Sequence, residues 1–354
     1  MALKEICASG SNYNLGFIHG CMAKEMVAGT VSYYRQKFEK LWNCSWAKIK
    51  AFSDGYYDVI YALFPKYIEE MRGISDGSNI PFDDILAINC HYEIARKGGL
   101  AEQSCSVIGV DSSRSSDGNT YMAENWDYGV FQKNNTVILK LTLTDNTRIC
   151  MVTEAGIIGR MGFNNNGIGY CGNTLKNDYV DYKFPLHMMK RLILEQHTLK
   201  DVRNVINSFG TGSSFNMLVG SAGEGVSDFE VDSRQITELP SVNGLIYHTN
   251  HFLSPSLRKC HEYTKYEKEE SVLRYLSLEK SLGSLDKIGF CDIQKTLVQH
   301  CNHPLGVCTH ADRNLPLEQQ WATICSLIIN LTRQTMYVCH GNPCEGTYLE
   351  TQLP

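Results

Sequence analysis

The sequence predicts a layered α+β protein, and three observations carry that prediction. The first hundred residues repeat apolar groups at spacings of three and four. From residue 104 onward, short β-type runs are separated by turn-forming clusters. Helical and strand blocks then alternate to the end, with no linker, low-complexity tract or internal repeat. An all-helical first third followed by alternating blocks is expected to pack as stacked layers in one compact unit.

Residues 13–100 read as helical. Ser32 to Trp42 places aromatic and aliphatic groups on one face, and Asp58 to Met71 repeats the pattern through Ile60, Leu63, Phe64, Tyr67 and Ile68. Gly73 is expected to cap that helix, with Ser75-Asp76-Gly77 as the turn beyond it. Pro81-Phe82-Asp83-Asp84 opens a third helix, with proline at its start and acids near its positive end. Ser106 to Val110 and Thr120 to Ala123 read as hairpin strands around Asp117-Gly118. Strands at 137–143, 148–153 and 167–170 follow, separated by Asp145-Asn146 and Asn164-Asn165-Asn166-Gly167. Helices are expected at 187–199 and 199–209, strands at 216–220, 226–231 and 245–248, and a charged helix at 259–276. Two closing strands, 322–331 and 335–340, meet at Thr332-Arg333-Gln334.

The 354 residues carry 33 Lys and Arg against 38 Asp and Glu, a formal net charge of −5 with no basic block. That balance argues against nucleic acid or an anionic membrane as the main partner. No apolar run is long enough to span a bilayer. Met1 to Ser9 lacks the apolar core of an export signal, and Thr351-Gln352-Leu353-Pro354 is not a peroxisomal address. A cytoplasmic location is expected, so the fourteen cysteines read mainly as reduced, buried thiols. No CxxC pair occurs. Cys301-x-His303-x4-Cys308-x-His310 comes nearest to a metal cluster, but its spacing fits no common zinc template, and no metal is expected.

Chemistry-bearing residues gather at strand ends. Taken alone, Cys105 at the start of a strand is filler. Hairpin pairing, however, could bring Asp127 of Glu124-Asn125-Trp126-Asp127-Tyr128 close to it. Thr153 to Asn164 is glycine-rich with an acid, Glu154, at a strand end, and His248-Thr249-Asn250-His251 ends another strand with polar groups. These runs, with Gly16-Phe17-Ile18-His19-Gly20 and Phe64 to Gly73, span nearly the whole chain. On them the sequence resembles the acyl-coenzyme A:isopenicillin N acyltransferase family (peptidase C45) of the N-terminal-nucleophile hydrolases, which includes β-alanyl-amine hydrolases.

The resemblance implies a four-layer αββα sandwich with a helical N-terminal segment. It further implies a zymogen that cuts itself between Ser104 and Cys105. Residues 1–104 would form the small (α) subunit and 105–354 the large (β) subunit of a heterodimer, with Cys105 as the thiol nucleophile at the new terminus. The freed α-amine, with an ordinary pKa of about 7.7–8.0, would serve as base, so neither metal nor organic cofactor is implied. Asp127 matches the aspartate beside that amine, and Asn250 matches an oxyanion-hole asparagine. Glu154, Asn164, His248, Thr249 and His251 are candidates for support or substrate contact; His19, His248 and His251 are not favoured as general base. Cys308 lies in a loop that matches a variable stretch near the substrate pocket. The prototype's Ser-Arg pair before its Ala-Thr strand start is missing from Glu318-Gln319-Gln320-Trp321-Ala322-Thr323. The implied activity is therefore hydrolysis of a small-molecule amide, with acyl-CoA-dependent N-acyl transfer of the 6-aminopenicillanic acid type as the alternative. An inactive family member acting as a binding protein is the second alternative. In the transferase reading, acyl-CoA is a substrate.

Overall fold

Two β-sheets stack face to face and carry helices on both outer surfaces. The computed structural model describes residues 2–41, 43–97, 104–175, 180–259, 265–300, 303 and 306–354. The chain begins with β1 (Lys4–Gly10), α1 (Asn12–Met22), α2 (Lys24–Gln36), α3 (Trp46–Leu63), α4 (Pro65–Ser78), α5 (Phe82–Asn89) and α6 (His91–Lys97). It continues through β2 (Ser106–Val110), β3 (Tyr121–Gly129), β4 (Thr136–Leu143), β5 (Arg148–Glu154), β6 (Met161–Asn164) and β7 (Ile168–Thr174). Next come α7 (Leu186–Ile193), α8 (Leu199–Phe209), β8 (Phe215–Ser221), β9 (Gly225–Val231), β10 (Ile236–Pro240) and β11 (Leu245–His248). The last part holds α9 (Pro255–Arg258), α10 (Lys265–Leu282), α11 (Phe290–Leu297), β12 (Trp321–Asn330), β13 (Thr335–His340) and β14 (Leu349–Gln352).

The larger sheet has the order β1-β4-β5-β6-β7-β8-β9-β10, and the smaller β11-β2-β3-β12-β13-β14. Strands β2 and β3 lie against β7, while α1, α7 and α8 contact the larger sheet and α10 and α11 the smaller. The arrangement is therefore αββα. Strands β2, β3 and β7 are buried along their whole length, because each is covered on both faces.

The first third is not all helical. Strand β1 pairs in parallel with β4, Lys4 opposite Val137 through Gly10 opposite Leu143. Its partner lies far down the chain, so no local hairpin signal announces it. The apolar stripe read over Asp58 to Met71 is two helices that meet at Phe64-Pro65. Proline starts α4 easily, at the position where its missing N–H costs nothing. Gly73 is not a cap, nor is Ser75-Asp76-Gly77 a turn: α4 runs through them and ends at Asn79, which takes the left-handed conformation. Gly73 is instead a packing residue. A Cβ there would lie 2.1 Å from the Tyr13 carbonyl oxygen, and one on Gly16 would lie 1.9 Å from that of Glu70. Helices α1 and α4 thus cross with their backbones in contact.

The charged helix lies further along than expected, at Lys265–Leu282, because Leu278 and Leu282 extend its buried stripe. Strand β3 extends to Gly129, well past the expected Ala123. Trp42 lies outside the described residues, as do residues 260–264 and Cys301, Pro304 and Leu305.

Buried charges tie α4 to α7. Arg191 on α7 bonds Glu70 at 2.8 Å and Glu195 at 2.9 Å, and Asn12 donates to the other Glu70 oxygen at 2.9 Å. Glu70, one of two acids within Phe64 to Gly73, is therefore the anchor that fastens α4 to α7. Substituting alanine at Gly16 or Gly73 should drive the α1–α4 crossing apart and cost about 1–3 kcal/mol or more in urea unfolding, with the fold otherwise kept. Near-neutral variants would show that this crossing can relax.

Candidate active site

Cys105 sits at the entry to β2, and the hairpin register decides what it meets. Ser106 faces Asn125 and Val107 faces Glu124 across the β2–β3 pair. Continued one residue back, that register sets Cys105 opposite Trp126 with Asp127 next along β3, and the Asp127 backbone N–H donates to the thiol. Cys105 is 1% exposed. Burial pushes its thiol pKa up, the Glu124 and Asp127 carboxylates add to the rise, and the Asp127 N–H and Arg274 oppose it.

The Asn125-Trp126-Asp127 run sends its side chains alternately to the two faces of β3. Asn125 donates to the carbonyls of Leu297 and Val307, both at 2.8 Å, and accepts from the Ser326 hydroxyl. Trp126 turns toward the larger sheet, with the Arg160 guanidinium 4.1 Å over its ring. The Asp127 carboxyl takes one hydroxyl on each oxygen, from Thr323 at 2.5 Å and Thr309 at 3.0 Å. A bulge between Thr323 and Cys325 breaks the β12–β3 register beside this contact. Burial raises the Asp127 pKa to about 8, against the pull of Arg274 and the two threonines.

Arg274, one turn along α10 from Glu270 and Ser271, was not singled out from the sequence. Its Nη1 donates to the Cys105 carbonyl at 2.6 Å and to the Ser106 hydroxyl at 3.1 Å, and its Nη2 to Asn250 Oδ1 at 2.9 Å. A guanidinium has no acceptor, so this last bond fixes which end of the Asn250 amide faces it. The amide nitrogen then points to the Thr174 carbonyl at 2.9 Å. Ser271 accepts from the Asn250 backbone N–H at 2.8 Å, and Glu270 accepts from the Ser104 hydroxyl. The 318–323 run has no arginine, and the guanidinium acting on Asp127 comes from α10 instead.

The remaining candidates divide into neighbours and scaffold. His248 bridges the Thr249 carbonyl and Glu230; burial opposes its protonation, but Glu230 and Asp228 outweigh this and raise its pKa. His251 meets Ser271 Oγ at 2.8 Å and Thr249 Oγ1 at 3.2 Å, and burial lowers its pKa to about 3. His19 accepts the Gly156 N–H at 3.0 Å, and burial lowers its pKa to about 4. All three are committed to partners other than Cys105. Thr249 donates to the Ser271 carbonyl, which fastens the 248–251 loop to α10.

Glu154 accepts from Tyr34, Gln132 and Arg160 and so supports the guanidinium that covers Trp126. Asn164 is far from this chemistry: it bonds Leu194, Gln196, Asn166 and Ile168 and closes the turn between β6 and β7. Cys308 is buried next to Thr309, facing Cys344 and His310 rather than Cys105.

Two more buried groups escaped the sequence reading. Glu124 accepts the Gly172 N–H at 3.0 Å, and burial raises its pKa to about 7. Lys190 lies over the Phe215 and Tyr92 rings at 4.4 and 4.8 Å, and burial pushes its pKa well down. Each belongs to a strand or helix that reads as core, and only the stacking of layers brings them behind Cys105.

A buried cysteine between two stacked sheets, with a carboxyl, an amide and a guanidinium around it, defines an acyl-transferring or amide-hydrolysing enzyme of the αββα class. A family model described as "Acyl-coenzyme A:6-aminopenicillanic acid acyl-transferase" matches residues 114–345, and the chain belongs to this family. The matched stretch begins just after Cys105 and takes in Asp127, Asn250 and Arg274. The acyl-coenzyme A:6-aminopenicillanic-acid-acyltransferase 40 kDa form of Emericella nidulans is 24% identical over 310 residues, covering 86% of this chain and 84% of that protein. Among solved structures, the Caenorhabditis elegans N-acylethanolamine-hydrolyzing acid amidase ortholog matches with a TM-score of 0.46 and 14% identity, over 64% of this chain and 93% of that one. A variant of Clostridium perfringens conjugated bile acid hydrolase matches with a TM-score of 0.46 and 10% identity, over 71% and 97%.

In a Cys105→Ala background, Arg274→Met should cost roughly 1–3 kcal/mol for each acceptor left without its donor, read by urea unfolding. Arg274→Lys should recover only part of this loss, since an ammonium cannot fork between Cys105 and Asn250. A lysine variant as stable as the Arg274 parent would show that the charge matters and the fork does not.

Proposed function

We propose that this chain is a self-processing thiol enzyme of the N-terminal-nucleophile type. It cuts its Ser104–Cys105 bond and then cleaves a small-molecule amide through a Cys105 acyl thioester. The observation that carries the proposal is the convergence on Cys105: Asp127 beside its sulfur, Arg274 on its carbonyl, and Asn250 held by the same guanidinium. Such preorganised groups are what an acyl-transfer site needs where charge develops.

In processing, the Cys105 thiolate attacks the Ser104 carbonyl carbon. The tetrahedral oxyanion collapses, the C–N bond breaks, and the Cys105 nitrogen leaves with a proton, so that Ser104 becomes a thioester on Sγ. Water hydrolyses that thioester to a Ser104 carboxylate, a free thiol and an α-amine. In turnover, the amine accepts the thiol proton and the thiolate attacks the substrate carbonyl. The leaving amine takes the proton, and water releases the acyl group as an acid. Asp127 orients the new ammonium. Asn250 supplies an oxyanion donor once its amide turns from Thr174.

A polar patch between the sheets supports an amino-acyl substrate such as a β-alanyl amine. Asp228, whose carboxyl burial raises to about 6, lies beside His248, and His248 pairs with Val107 next to the nucleophile. Asn216 Oδ1 and Asn173 Nδ2 lack hydrogen-bond partners among the described residues, and the Asp228 carboxyl is addressed only by Asn216 and the Phe229 N–H. A substrate ammonium would complement this carboxylate. The second reading keeps the thioester and changes the acceptor: the family description and the relative's name both specify transfer from acyl-coenzyme A to an amine. No described helix is long and apolar enough to cross a membrane.

Denaturing intact mass should give fragments 1–104 and 105–354 for the wild type and one whole chain for Cys105→Ala. A whole wild-type chain would overturn the processing step. Because the thiol pKa is raised, the thiolate share, and with it the processing rate, should climb about tenfold per pH unit across the neutral range. A flat profile would mean that a neighbouring base removes the proton in the same step. After cleavage, Asn250→Ala should lower kcat roughly 10²–10³-fold on a β-alanyl amide with KM little changed. Incubating the cleaved enzyme with acyl-coenzyme A and an amine, against the amide alone, separates transfer from hydrolysis by product mass.

A further inference from the structure

Outside the reaction centre, four soft and borderline ligands converge from three separate segments. His300 follows α11, Cys308 and His310 lie in the loop that leads to β12, and Cys344 follows β13. One ligand atom from each lies within 4.8 Å of all the others. The Cys308 and Cys344 sulfurs are 3.6 Å apart, and His310 Nε2 stands 3.7 Å from the first and 3.3 Å from the second. His300 Nε2 and His310 Nε2 are 3.0 Å apart.

Four of the six separations match the edges of a metal tetrahedron, and the two from His300 to the sulfurs lie within 4.8 Å. With Zn–S near 2.3 Å and Zn–N near 2.0–2.1 Å, tetrahedral angles put two sulfurs about 3.8 Å apart, sulfur and nitrogen about 3.5 Å, and two nitrogens about 3.3 Å. The four edges, between the two sulfurs and from His310 Nε2 to each sulfur and to His300 Nε2, fall within a few tenths of an ångström of these values. A disulfide would require the sulfurs at about 2.05 Å, far closer than they stand. Groups around the cluster are placed as outer partners of metal ligands usually are. Asn342 Nδ2 donates to Cys308 Sγ at 3.4 Å, and the Glu345 carboxylate lies 3.7 Å from His310 Nδ1, the ring nitrogen turned away from the sulfurs.

We propose that His300, Cys308, His310 and Cys344 form a structural Cys2His2 site for one zinc ion. Two thiolates balance the charge of the ion, and four protein ligands leave no open position, so the site is structural rather than catalytic. The sequence spacing concealed it, because Cys344 lies far from the other three and the set includes neither Cys301 nor His303.

The position of the site gives it a task. Thr309 stands between two of the ligands, and its hydroxyl donates to Asp127. Asn342 holds the Thr309 carbonyl at 2.7 Å, and Asn125 holds that of Val307. Zinc would fix the loop on both sides of Thr309 and so set the position of the Asp127 carboxyl. The assignment of the metal does not depend on the proposed reaction.

Elemental analysis of tag-free, dialysed full-length protein should find about one zinc per chain. Cys344→Ala and His310→Ala should each reduce bound zinc roughly tenfold or more, while Cys291→Ala, at an exposed cysteine outside the cluster, keeps it. Cobalt exchanged into the wild type should show thiolate-to-metal charge transfer and the intense visible bands of a tetrahedral site. If Cys344→Ala fails to fold, Cys344→His supplies a fourth ligand and should fold with zinc bound. The proposal is overturned if the zinc-supplemented wild type holds no more metal than Cys344→Ala, or if both ligand variants keep their zinc. A Cys308–Cys344 disulfide in protein purified under reducing conditions would overturn it equally.

Discussion

One buried guanidinium organises the reactive end of this molecule. Removing a charge from water costs several kcal/mol unless hydrogen bonds compensate it, so a buried arginine forces its surroundings to supply acceptors. Arg274 is 1% exposed and meets a backbone carbonyl and a hydroxyl at the start of β2 and a side-chain amide just past β11, the strand paired with it. Its demand fixes the Asn250 amide, sets the entry of β2, and offsets part of the desolvation of Asp127. Helix α10 is the rigid carrier, with Glu270, Ser271 and Arg274 presented on one face.

The same economy governs the rest of the interior. Arg191 with Glu70 and Glu195, Arg160 with Glu154, and His248 with Glu230 each hold separate segments together through charges that cannot be left single, and the last joins the two sheets. Several of the most specific sequence runs turn out to supply these joints rather than reactive groups. Glu70 within Phe64 to Gly73 and Glu154 within Thr153 to Asn164 are examples, and so is His19, which pins the turn at Gly156. A run can be diagnostic of a family because it builds the frame.

The strands with alternating or β-branched character and a nearby turn were legible in the sequence, and so were most helices. What escaped depended on distant partners. Strand β1 needs β4, Gly73 reads as a cap until α1 is laid across it, and Pro65 was absorbed into an apolar stripe that runs past it. At the site, Cys105, Asp127 and Asn250 were found through motif resemblance, and the hairpin register supplies the physical reason for the first two. Arg274, Thr309 and Thr323 were invisible because an arginine in a charged helix and threonines near a strand carry no local mark of function. Glu124 was quoted only as a neighbour of Asp127, and its place behind the thiol depends on the depth of the sandwich.

The two hydroxyls on Asp127 come from Thr309 and Thr323, residues made long after Cys105. While a ribosome is still extending the middle of the chain, the carboxyl beside the cysteine has neither donor, and the strand that carries Thr323 has not been synthesised. A chain abandoned at that stage owns a cysteine but no assembled centre around it. In the proposed reaction Cys105 therefore gains its surroundings only late in translation, and prematurely terminated copies lack both hydroxyls on Asp127.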